Sequence, residues 1–261
     1  MSEYQTLTYV VDERHVATIT LDRPDKLNSF NKAMCDEFSA LWQEIRLDDA
    51  VHVVLLQANG DRAFSAGLDV NDGLPPSWLP KNIWSQEDTG FQLSPKMNRV
   101  WKPLICAVHG IAAGGAFYWL NEADIILCSD DAQFFDPHVS YGIVAAHEPI
   151  GLARRIPLGE VMRMALVGLD ERVSAKRALE IGLVTEVVPR DQLHARAYEL
   201  AASIAAKPPA AVQGTVKAIW ESLDSPRTAA TVTATPYWQL GNPIGIAQLD
   251  PDRPRPAWKL R

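Results

Sequence analysis

Apolar and polar residues alternate along 7–12 and again along 15–21, on either side of Asp12-Glu13-Arg14. Alternation with a period of two around a polar triplet predicts a β-hairpin. From 31 to 47 the spacing changes, and Met34, Phe38, Leu41, Trp42 and Ile45 trace one face of a helix. Asn31 stands in front of it as the expected N-cap. Residues 51–57 read as a strand. A further strand, 103–108, runs through a glycine-rich turn into a helix start and then another apolar run ending at 128. Strands alternating with helices predict an α/β core with helices packed on a sheet.

Residues 71–97 break this alternation. They carry Pro75, Pro76, Pro80 and Pro95 together with Trp78, Trp84 and Phe91. Proline blocks regular structure, and a long loop bearing aromatic side chains predicts a lid or binding loop. Helical spacing returns over 191–206 and 209–222, whereas 223–261, punctuated by prolines, reads as irregular. The expected organisation is a core over 1–190 and a C-terminal helical region with an irregular tail over 191–261.

Composition narrows the function. The chain of 261 residues is 47% hydrophobic and 22% charged, with a net charge of -7 and no basic block. Nucleic-acid binding needs a concentrated cationic surface and is disfavoured. Local cations can still hold a phosphate-bearing ligand, and Arg23, Lys26, Arg62, Lys217 and Lys259 are candidates. Cys35, Cys106 and Cys128 show neither disulfide nor zinc spacing. There is no apolar segment of membrane-spanning length, and the N-terminal residues lack a signal-peptide pattern, so a cytoplasmic protein without membrane contact is expected. His15, His52, His109 and His194 show no metal-ligand spacing, and no metal is expected.

Two glycine turns carry the chemistry. Gly110-Ile111-Ala112-Ala113-Gly114-Gly115-Ala116-Phe117-Tyr118 lies between the 103–108 strand and a helix, and Ala63-Phe64-Ser65-Ala66-Gly67-Leu68-Asp69 follows the 51–57 strand. Glycine lets a ligand approach bare backbone N–H groups, and two such turns can give two donors to one developing oxyanion.

In this order and spacing the turns resemble the crotonase (enoyl-CoA hydratase/isomerase) superfamily, whose pattern is A-G-x-D followed by N-G-x-x-x-G-G-G-x-E. The resemblance extends through 22–31, similar to the family's N-R-P-x-x-x-N-A-L-N segment beside the CoA site, and through 175–184, similar to A-x-x-A-x-x-x-G-L-V. It includes the basic, proline-containing end at 253–259 and is weakest over 71–97. It implies a spiral of ββα repeats with C-terminal helices that assemble trimers or hexamers and close the acyl site. It further implies an acyl-CoA substrate, coenzyme A arriving as part of that substrate, and no permanently bound cofactor. By the same resemblance the oxyanion donors are the N–H groups of Leu68 and Gly115. Arg23, Lys26, Leu27, Ala66, Gly67, Asp69 and Gly114 then contact substrate or CoA.

The chain departs from the family's hydratases at both glutamates. Tyr118 stands at the first position and His138, in Phe134-Phe135-Asp136-Pro137-His138, at the second. A positioned acid or base supplies roughly 10²–10⁴-fold each, so the proton chemistry must have been replaced. His138 titrates near neutrality and is the leading catalytic candidate. Glu148, in the loop 142–151, is the second, as base or as the group orienting His138, and His147 is the third. Tyr118 either donates a hydrogen bond into the pocket or packs with Phe117 and Trp119. Asp136 either caps the turn at Pro137, the favoured reading, or orients a side chain. The β-diketone hydrolases of the superfamily also have histidine at the His138 position, then Gly-Ile-Val and an acidic residue. Three functions therefore compete: hydration or isomerisation of an acyl-CoA thioester, hydrolysis of a β-diketone without CoA, and CoA binding without catalysis.

Overall fold

The predicted hairpin pairs β1 (Leu7–Val11) with β2 (Val16–Leu21), Leu7 opposite Leu21. Next come α1 (Lys32–Leu47), β3 (Val53–Ala58) and β4 (Ala63–Ser65). They are followed by β5 (Leu104–Val108), β6 (Ile111–Ala113), α2 (Phe117–Leu120), β7 (Ile125–Ser129) and β8 (Gln133–Phe135). The remaining elements up to Ala205 are α3 (His147–Leu152), α4 (Leu158–Val167), β9 (Val173–Ser174), α5 (Ala175–Glu180), β10 (Glu186–Val188) and α6 (Leu193–Ala205). This computed structural model describes residues 4–72, 82, 84, 88–252, 258 and 260.

Two sheets result. One has the order β1-β2-β3-β5-β7-β10, parallel from β2 onward; the other has the order β4-β6-β8-β9, parallel except for β9. Strands buried on both faces read as continuous apolar runs, and β5, Leu-Ile-Cys-Ala-Val, is buried throughout. Successive side chains point to opposite faces. Val54, Leu56 and Cys106 join the cluster that holds the α1 residues Phe38, Leu41, Trp42 and Ile45. Val53, Leu55 and Ile105 join Leu193, Ala197, Ala201 and Ala205 of α6. Asn31 caps α1 as predicted, its side chain accepting from the Met34 N–H at 3.1 Å. All three cysteines are buried as free thiols.

The chain forms two compact units, Met1–Ala205 and Ala206–Arg261. The first includes α6, which lies beyond 190. In the second, α7 (Pro209–Ser222) pairs with α8 (Arg227–Ala247). The irregular tail expected over 223–261 is thus corrected: most of it is helix. Pro226 sits at the N-cap of α8, where its missing N–H costs nothing. Pro236 and Pro243 lie two turns apart within the helix. Each frees one carbonyl, that of Val232 and that of Gln239, and both residues are exposed to water. Gln248 accepts from the Ala210 N–H at 3.0 Å and Tyr237 donates to Glu221, so the two helices run antiparallel. Lys217 lies over the Tyr237 ring here. Much of the predicted 71–97 loop and of the basic end, Lys259 included, lies outside the described residues. No described helix is long and apolar enough to cross a membrane.

Candidate active site

Parallel pairing of β4 with β6 brings the two glycine turns together. After β4, Gly67 adopts φ +86°, a conformation that side chains rarely take. A Cβ there would lie 2.8 Å from the Ala113 oxygen and 2.9 Å from the Gly115 nitrogen, so the turns touch through bare backbone. The Phe30 N–H donates to the Gly67 oxygen at 2.8 Å and the Asp69 N–H to the Phe30 oxygen at 2.9 Å, which fixes Leu68 between them. A Cβ on Gly115 would strike the Phe30 ring at 2.3 Å. Among the described residues, neither the Leu68 N–H nor the Gly115 N–H has a backbone acceptor.

These turns face a cavity of about 930 Å³ lined by Lys26, Leu27, Ala66, Leu68, Asp69, Gly114 and Gly115, among others. Arg62 also lines it. Arg23 does not. Its guanidinium is turned inward, donating to Asp69 Oδ2 at 2.9 Å and to the Ser29 oxygen. With Asp69 buried, Arg23 ties the segment 23–29 to the first glycine turn.

On the other side, β8 delivers Asp136, Pro137 and His138. His138 opens a 3-10 turn, His138–Tyr141. The missing Cβ of Gly114 would lie 3.7 Å from His138 Cε1, so the imidazole borders the second glycine turn. His138 Nδ1 is 2.6 Å from Asp136 Oδ1, and His138 Nε2 is 3.8 Å from Glu148 Oε1. The hydrogen bond with Asp136 raises the His138 pKa against the opposing effect of burial. Burial raises that of Glu148, in the first turn of α3. Asp136, His138 and Glu148 can offer one ligand atom each to a metal ion, all within 4.8 Å of one another.

Tyr118 and His147 belong to a different cluster. The Tyr118 hydroxyl donates to Asp88 Oδ2, and His147 Nε2 lies 3.2 Å from the same oxygen. Asp88 caps the 3-10 turn Thr89–Leu93 through the Gly90 N–H. Tyr118 lines the cavity and holds this turn in place, while His147 is half exposed and lies against Asp88. The residue following His147, Glu148, is the one that meets His138. Two carboxylates were not marked as chemical by the sequence. Asp136 is expected foremost as a cap, with the orienting of a side chain as the second reading, and Asp88 lies in the segment of weakest resemblance.

A sequence profile of the enoyl-CoA hydratase/isomerase family matches residues 12–236 of this chain. The chain belongs to the enoyl-CoA hydratase/isomerase family. It is 32% identical over 213 residues to (E)-benzylidenesuccinyl-CoA hydratase of Thauera aromatica, covering 81% of each chain. It is 32% identical to 1,2-epoxyphenylacetyl-CoA isomerase of Escherichia coli K12, covering 75% of each. Against the mitochondrial Δ(3,5)-Δ(2,4)-dienoyl-CoA isomerase of Rattus norvegicus the identity is 30%, over 81% of this chain and 67% of that one. The crystal structure of an enoyl-CoA hydratase/isomerase from Mycobacterium paratuberculosis superposes with a TM-score of 0.84 at 36% identity, covering 91% of both chains. The crotonase-like fold is therefore that of the family. Hydratases and isomerases stand side by side among these enoyl-CoA hydratase/isomerase relatives, so identity alone does not separate the two reactions.

Proposed function

We propose that this chain is an enzyme of the enoyl-CoA hydratase/isomerase type acting on an acyl-CoA thioester. The thioester oxygen sits between the N–H groups of Leu68 and Gly115, and Lys26 and Arg62 meet the CoA phosphates. Ala66, Gly67, Asp69 and Gly114 shape the turns that hold the thioester, and Leu27 borders the CoA path. His138 and Glu148 carry the protons that the absent glutamates carry in hydratases. The observation that supports this best is the approach of His138 Nε2 to the Glu148 carboxylate at 3.8 Å, beside the glycine turns.

Hydration and isomerisation make the same demand on such a site. In hydration, a base takes a proton from water as its oxygen adds to the β-carbon. Negative charge moves to the thioester oxygen, and an acid returns a proton to the α-carbon. In isomerisation the proton leaves one carbon and returns to another. Each route passes through an enolate, and two backbone donors aimed at it stabilise it in a site shielded from water. The His138–Glu148 pair needs to hold one proton between its members, one acting as base and the other as acid. Arg23 acts from behind the site by fixing Asp69. Tyr118 and His147 hold the Thr89–Leu93 turn against the cavity. The second unit, α7 and α8, serves assembly into trimers or hexamers.

Crotonyl-CoA incubated with the protein tests this reading. Loss of the enoyl-thioester absorbance with a gain of one water identifies a hydratase; a rearranged product of unchanged mass, from a β,γ-enoyl-CoA, identifies an isomerase. Failure to bind any CoA thioester would overturn it. Cleavage of a β-diketone in its place would favour hydrolysis without CoA, the reading that His138 followed by Gly142-Ile143-Val144 supports second.

A further inference from the structure

We infer that Asp136 is a positioning residue that fixes the tautomer and orientation of His138, so that a bare Nε2 faces the substrate. This rests on the acid/base role proposed for His138.

Asp136 is 1% exposed. A carboxylate that deep is costly unless donors or a cation compensate it. Its Oδ1 receives two donors from one residue, the His138 backbone N–H at 3.0 Å and the ring Nδ1 at 2.6 Å. Its Oδ2 is buried without a partner among the described residues. A cap would need only the backbone contact. The ring contact, and a second oxygen left unpaired in the interior, make sense when the charge is kept for the imidazole.

The local chain holds this geometry. β8 ends at Phe135, Pro137 fixes one backbone angle, and His138 begins a 3-10 turn, so carboxylate and ring stand two residues apart on a short, stiff loop. A histidine whose Nδ1–H is bonded to a carboxylate leaves Nε2 as its acceptor, and the carboxylate stabilises the imidazolium formed when Nε2 takes a proton. On its open sides the ring meets Glu148 at Nε2 and the bare backbone of Gly114 at Cε1. Asp136 and Glu148 are thus the titratable groups acting on it.

The test combines ring spectroscopy with kinetics. With ¹⁵N-labelled histidine, NMR of the unaltered protein above the alkaline limb of its pH profile, where the ring is neutral, should show His138 protonated at Nδ1 and bare at Nε2, with a far-downfield Nδ1 proton. Asp136→Asn keeps an oxygen for the backbone N–H and removes the charge. It should lose the downfield proton, mix or reverse the tautomers, and lower the His138 pKa. Turnover should fall by roughly 10²-fold or more with KM changed only a few fold. A neutral ring protonated at Nε2 in the unaltered protein would overturn the inference, as would an Asp136→Asn variant with unchanged tautomer and pH profile. The two readings fail separately. Ring signals that move in Asp136→Asn while His138→Ala turns over normally keep the positioning and discard the acid/base role. An inactive His138→Ala with an unaffected Asp136→Asn does the reverse.

Discussion

His138 Nε2 lies 3.8 Å from Glu148 Oε1, and the two side chains favour protonation for different reasons. Asp136 raises the pKa of His138, whereas burial raises that of Glu148. Groups this close titrate as a pair, with two macroscopic values. Activity should be greatest where the pair holds one proton. The acid limb of kcat/KM against pH marks loss of the first proton, above the ordinary ~4.3 of a glutamate, and the alkaline limb marks loss of the second, above the ordinary ~6.5 of a histidine. Glu148→Gln should remove one limb. A full bell-shaped profile in that variant would contradict the pairing.

Gly67→Ala tests the contact between the turns. The new Cβ would meet the Ala113 oxygen at 2.8 Å on a residue with φ +86°. Strain of this kind costs about 1–3 kcal/mol, to be read as a fall in the midpoint of denaturant unfolding. Turnover should fall further than stability alone requires, because Leu68 and Gly115 move apart. Unchanged stability and turnover would contradict the geometry.

Tyr118 can be separated from the proton chemistry. Tyr118→Phe keeps the ring and loses only the hydrogen bond to Asp88. Stability should drop by about 1 kcal/mol, and turnover should change less than tenfold. A hundredfold loss of turnover at unchanged substrate affinity would make the phenol a catalytic group.

Arg23 and Lys26 should behave as different kinds of residue. Arg23→Met leaves buried Asp69 unpaired and should destabilise the fold by about 3 kcal/mol. Lys26→Ala should instead raise KM for CoA thioesters several fold, more at low salt, with kcat nearly unchanged. A large rise in KM for Arg23→Met without loss of stability would restore Arg23 to the binding site.

Much of this was legible in the sequence. The hairpin, α1 with its Asn31 cap, the buried strands and α6 follow from periodicity, because packing here obeys local pattern. The glycine turns are legible because only glycine tolerates their backbone and close contacts. Pairing across the fold is not written locally. Nothing near Asp88 announces Tyr118, thirty residues on, and nothing near Arg23 announces that Asp69 turns it inward. The place of Asp136 before proline favours a cap over the orienting of a side chain, and it does accept from the His138 N–H. Its second contact, with the ring, depends on a side-chain orientation that spacing does not specify. α8 was missed because proline counts heavily against helix in sequence, whereas here the freed carbonyls lie at exposed residues and α7 packs alongside.

The most direct measurement is steady-state turnover of an accepted enoyl-CoA by His138→Ala, with CoA-thioester affinity measured on the same preparation. The account predicts a loss of turnover of roughly 10²–10⁴-fold with affinity within a few fold of the unaltered protein. Turnover equal to that of the unaltered protein would contradict it.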